Sequence, residues 1–104
     1  MDIATNVEDD GTTIVMTLRG EVAYPEADEL ANRLERIVAV MPTLAHVRVN
    51  AAGVEFMDSY GLRGLVGMRR LAEQHHLTYV TEQLSPAVAR LLEATSLGAY
   101  LGAE

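Results

Sequence analysis

Apolar spacing along this chain switches repeatedly between period two and period three-to-four, and that alternation limits the fold more than any other feature. Residues 12–20, TTIVMTLRG, place Ile14, Met16 and Leu18 on one side and Val15, Thr17 and Arg19 on the other, which predicts a strand. The preceding DIATNV (2–7) alternates weakly and runs into EDDG (8–11), where Asp-Gly signals a hairpin. The first two strands are therefore expected to be antiparallel. Pro25 is read as opening a helix, a position where its missing N–H costs nothing, with Glu26, Asp28 and Glu29 in the dipole-favoured first turn. Ala27, Leu30, Ala31, Leu34, Ile37, Val38 and Met41 form its apolar stripe, and Pro42 ends it.

The alternation then continues. Residues 45–53 read as a strand burying Val47 and Val49, and residues 61–76 as a helix carrying Leu62, Leu65, Val66 and Leu71. Residues 77–82 read as another strand. Ser85-Pro86 caps a last helix with Val88, Leu91 and Leu92 facing inward. The tail GAYLGAE is expected to add a short edge strand. The order is β-β-α-β-α-β-α(-β), a single α/β domain over residues 1–104, long enough for one core. Strand–helix–strand crossovers are right-handed, so strands two to four should be parallel in a mostly parallel mixed sheet, with an antiparallel N-terminal strand and helices packed on it.

Sites in such sheets lie at the carboxyl ends of strands. Two segments meet that condition, GEVAYPE (20–26) and EFMDSYG (55–61). If their strands are neighbours, Glu21, Tyr24, Asp58, Ser59 and Tyr60 share one rim. Within the second segment, Asp58-Ser59 fits a nucleophile, a phosphorylation site or a helix cap. Either side chain can accept a hydrogen bond from a first-turn N–H, worth about 1 kcal/mol.

Composition excludes several classes. The net charge of −7, with no basic patch, argues against nucleic acid as a partner and for proteins of basic or mixed surface, or small ligands. The absence of cysteine removes disulfides and thiolate metal sites. No apolar run is long enough to span a bilayer, and the N-terminal stretch lacks a basic region followed by an apolar one, so a cytoplasmic protein without membrane association is expected.

Hydrolysis fits poorly. A nucleophile elbow, G-x-S-x-G, needs a glycine where Met57 stands, and His46, His75 and His76 belong to the opposite pole. His75-His76 makes no metal site, because adjacent helix residues diverge. Gly61, Gly64 and Gly67 recur inside a helix without the P-loop lysine, and are read as close packing of helix against sheet. No enzyme activity, cofactor or metal is expected.

GVEFMDSYGLRGLVGMRRL resembles the signature of STAS domains, specifically the bacterial anti-sigma factor antagonists, in which Asp-Ser-Ser-Gly or Asp-Ser-Thr-Gly leads into a helix. TIVMTLRGEV is similar to the family's second strand, and SPAVARLLEATSL to its Pro-x-Val-x-x-Leu helix running into Thr-Gly-Leu. The resemblance implies binding to an anti-sigma factor that is also a serine kinase. It implies phosphorylation of Ser59, which breaks the complex, and a serine phosphatase that restores it. Partner-binding residues are expected at Glu21, Tyr24, Asp58, Tyr60, Gly61 and Arg63, on a monomer or weak homodimer. Other STAS domains serve transporter complexes or act as unphosphorylated scaffolds. Three positions depart from the family pattern: Tyr60 replaces a small residue, Ala23 stands where many members carry Asp, and Ser96 stands for Gly.

Overall fold

The computed structural model describes residues 1–103. The strands are β1 (Asp2–Glu8), β2 (Thr13–Val22), β3 (His46–Met57) and β4 (Thr78–Glu82), and the helices are α1 (Glu29–Val40), α2 (Ser59–Gln74) and α3 (Pro86–Thr95). Period-two patterning and crossover handedness give the expected sheet. Its order is β1-β2-β3-β4, with β1 antiparallel to β2 and both β2–β3 and β3–β4 parallel. Ile14, Met16 and Leu18 of β2, with Val47, Val49 and Ala51 of β3, make the buried face. Leu30 and Leu34 of α1, Leu65 and Met68 of α2, and Val88 of α3 close over it.

The other face is polar. Arg48 bridges Glu8 at 3.4 Å and Glu82 at 2.8 Å, and His46 Nδ1 lies 2.7 Å from Thr78 Oγ1. These exposed pairs add little stability and serve mainly to keep that face wet.

Several expectations change. Gly53 does not end β3. The strand runs on to Met57 while its pairing with β2 shifts register at two places, between Thr17 and Arg19 and between Gly20 and Glu21. Glycine here fits a strand irregularity, where another backbone comes close: a Cβ on Gly53 would meet the Leu18 carbonyl oxygen at 3.2 Å. Pro25 does not open the long helix. The Tyr24–Pro25 peptide is cis, a 3-10 turn spans Glu26–Asp28, and α1 begins at Glu29. The hairpin turn is likewise a 3-10 turn, Asp9–Gly11.

The tail forms no edge strand among the described residues. It turns back so that Leu101 is fully buried, and its contact with the sheet edge is the Thr81 N–H donated to the Leu101 carbonyl at 3.0 Å. The buried leucine, the Arg69 Nε–H donated to the Tyr100 carbonyl at 3.1 Å and the Tyr100 hydroxyl donated to Glu73 at 3.1 Å hold the tail without the ladder a strand needs. Ser96 sits at the α3 C-cap with φ of 59°, the left-handed conformation that glycine adopts more cheaply.

The glycine stripe packs mainly against a helix rather than the sheet. Gly64 faces Leu30 and Ala27, and Gly67 faces Ala31, so small residues let α2 approach α1 and the turn before it. Only Gly61 meets the sheet. A Cβ there would collide with the Val22 carbonyl oxygen and would lie 2.7 Å from Met57 Cγ.

The stripe therefore generates opposite expectations at its two ends. Gly61→Ala should cost about 3 kcal/mol, because backbone oxygen cannot yield as a side chain can. Gly67→Ala, whose Cβ would meet Ala31 Cβ at an ordinary 3.7 Å, should gain roughly 0.5–1 kcal/mol from helix propensity. Urea unfolding of both variants checks the pair; equal effects would refute this account of the stripe.

Candidate functional site

The rim is built by register. Glu21 pairs with Phe56 and Val22 with Met57, so the chain leaves β2 and β3 side by side. Val22 and Met57 point into the core, while Glu21 and Phe56 are exposed. From these two exits the chain must reach α1 and α2, and one carboxylate ties the exits together. Asp58 is the α2 N-cap: Oδ1 accepts the Gly61 N–H at 2.8 Å, and Oδ2 accepts the Tyr24 N–H at 3.3 Å. The Gly61 bond holds the Asp58 carboxyl below its ordinary value. Partial desolvation opposes this, and the Tyr24 N–H adds to it.

Because Asp58 does the capping, Ser59 does not have to. It is the first residue of α2 and is exposed. Tyr60 beside it packs edge-on against Tyr24, with ring centroids 4.7 Å apart and planes at 72°, a favourable arrangement of two quadrupoles. The Arg63 guanidinium lies over the Tyr60 ring, 5.1 Å from its centroid. Tyr24 is 65% exposed, so the stack stands on the surface rather than in the core.

The structure thus brings Tyr24, Asp58, Ser59, Tyr60, Gly61 and Arg63 into one continuous cluster. Glu21 reaches the same rim but joins Phe56 rather than the tyrosines. Phe56, 51% exposed, is the rim residue that sequence reasoning passed over. Its signal was an apolar residue between Glu55, exposed, and Met57, buried, at a place where irregular pairing turns strict alternation off. The hollow beside Tyr60 and Arg63 holds about 140 Å³, below the usual range for a small-molecule pocket. The rim is aromatic and exposed at Tyr24 and Phe56.

The three histidines lie elsewhere. His46 begins β3 next to Thr13 and Thr78, and His75 and His76 follow α2. A full strand or helix separates them from Ser59, so no triad forms. Among the described residues no group of three His, Cys, Asp or Glu is placed to hold a metal ion, and no helix is long and apolar enough to cross a membrane.

Residues 5–102 match a family model described as Mlab, STAS domain. Solved structures share the fold. SpoIIAA, an anti-sigma factor antagonist, in its unphosphorylated form aligns with a TM-score of 0.80 at 19% identity, over 95% of this chain and 84% of that one. The phosphorylated form of SpoIIAA from Bacillus aligns at 0.72 and 18%, over 95% and 87%. An anti-sigma factor antagonist from Mycobacterium paratuberculosis aligns at 0.74 and 24%, over 96% and 83%.

The Asp58 cap yields a pH prediction. A carboxyl depressed on folding contributes stability above its ordinary value of 3.8, and that contribution is lost as pH falls through the depressed folded value. Asp58→Asn keeps a capping oxygen but removes the charge. Its stability deficit relative to wild type should be constant near neutral pH and shrink below about pH 4. Denaturant melts across that range test this, and a deficit independent of pH would remove charge from the cap's role.

Proposed function

The chain belongs to the STAS domain family, and on that premise we propose that it is an anti-sigma factor antagonist switched by phosphorylation of Ser59. It binds an anti-sigma factor that is also a serine kinase, so releasing a sigma factor. Phosphate on Ser59 ends the binding and a serine phosphatase restores it. The observation that carries the reading is the division of labour at the start of α2. Asp58 caps the helix, which leaves Ser59 exposed beside the Tyr24–Tyr60 pair. Phosphate there adds about −1.5 to −2 charge at a helix N-terminus, where the fold tolerates it. The charge falls on the contact surface, so binding changes while the core does not. The likeness to SpoIIAA, solved in unphosphorylated and phosphorylated forms, agrees with such a switch. No step of this role asks the chain to catalyse a reaction, and its place of action is the cytoplasm.

A second reading is a STAS interaction subunit without phospho-regulation, for example in a transporter complex. The matched family model favours it, since its description names Mlab rather than an antagonist. Bulky Tyr60, beside Ser59 where the antagonist signature has a small residue, also favours it. Affinity capture from native lysate with mass spectrometry separates the two. A kinase-like anti-sigma factor supports the first, a transporter ATPase the second.

With the cognate kinase in hand, Ser59→Ala should abolish phosphate transfer and bind constitutively, while Ser59→Asp should bind weakly. Undiminished labelling of Ser59→Ala would falsify the acceptor assignment.

Tyr24→Ala and Tyr60→Ala should each weaken partner binding by about 1–2 kcal/mol, as truncated interface tyrosines do. Melting temperature should be nearly unchanged, because the pair lies outside the core. Calorimetric titration beside thermal melts gives the answer; lost stability with unchanged affinity would make the pair structural.

A further inference from the structure

We propose that a phosphate on Ser59 draws the Arg63 guanidinium off the Tyr60 ring, so that modification rearranges the Tyr24–Tyr60 pair as well as adding charge. The inference rests on reading Ser59 as the phosphoacceptor and deepens it. Three features of the cluster carry it.

The first is reach. Arg63 follows Ser59 by four residues on α2, the spacing at which helical side chains meet, and a long side chain leans back toward the helix N-terminus. The guanidinium already uses that lean to cover Tyr60, at 5.1 Å from the centroid. The same arc takes it to an oxygen on Ser59.

The second is the local charge. The Gly61 N–H is committed to Asp58 Oδ1 at 2.8 Å, and the Leu62 N–H is donated to the Asp58 carbonyl oxygen at 3.1 Å. The capping carboxyl is also held in its charged form. A phosphate on Ser59 therefore arrives beside a carboxylate with the Gly61 and Leu62 amides engaged, and a cation one helical turn on is its natural counterion.

The third is the competition. A tyrosine face offers a quadrupole, whereas a phosphoserine offers about −1.5 to −2 charge and three acceptor oxygens that suit a guanidinium fork. The phosphate wins the arginine. Tyr60 then loses the cation over its face, and its edge contact with Tyr24 is no longer fixed from both sides. In the modification, Ser59 Oγ attacks the terminal phosphorus of a nucleoside triphosphate. The bond to the leaving nucleoside diphosphate breaks, and the hydroxyl proton passes to solvent.

The test encodes phosphoserine at position 59 during translation, so no kinase is involved. Phosphorus NMR titration should place the second phosphate ionisation about half a pH unit lower in the Arg63 protein than in Arg63→Ala or Arg63→Gln. Arg36→Ala, on α1 and paired with Glu29 at 3.4 Å, should leave the midpoint unmoved. Tyr60 ring protons should shift on phosphate incorporation with Arg63 present and much less without it. Equal midpoints in the Arg63 and Arg63→Gln proteins, or Tyr60 signals indifferent to phosphate, overturn the proposal. Neither result touches the phosphoacceptor reading, which stands or falls on labelling of Ser59 by a kinase.

Discussion

Everything at the rim depends on the Asp58 carboxylate being shared between two chain exits. One oxygen takes the Gly61 N–H of its own helix and the other takes the Tyr24 N–H from the segment leaving β2. The first bond sets the direction of α2. The second pins the segment that carries Tyr24 beside Tyr60. Gly61 is the spatial condition for both, since any side chain there would push the helix from the Val22 carbonyl and open the distance that Asp58 spans. A hydrogen bond and a missing methyl group together place the two tyrosines in contact.

The sheet explains why the exposed aromatic cluster lies at an edge and not on a face. Parallel sheets usually bury both faces under crossover helices. Here Arg48, Asn50, Thr17 and Glu82 occupy the face away from the core, at positions where a second helical layer would demand apolar residues. That face is solvated through its own ion pairs. Aromatic residues with large exposure are instead found where strands end, at Tyr24 and Phe56.

Much of this was legible in the sequence, and the reasons are particular. β2 was plain because Ile14, Met16 and Leu18 alternate strictly and all three are buried. The rim followed from topology, because parallel neighbours must end on the same side. Phe56 and the far half of β3 were hidden because two register shifts break the alternation on which strand reading relies. The start of α1 was misplaced because proline fits both a first helical turn and the 3-10 turn that precedes one. The tail misled because its single buried leucine resembles half of a strand pattern. Arg63 is legible as a rim residue from its place on α2, but its seat over the Tyr60 ring is not, since the sequence does not say that Tyr60 turns toward Tyr24.

β1 runs against β2, so it starts where β2 finishes. The Met1 ammonium accordingly lies 3.4 Å from Glu26, just past the cis Tyr24–Pro25 peptide. An affinity handle or fluorophore placed ahead of Met1 would leave the domain beside the aromatic rim and crowd the contact proposed there. One grafted into the β1–β2 hairpin at Asp9–Gly11 would emerge at the opposite pole and report on binding without standing in its way.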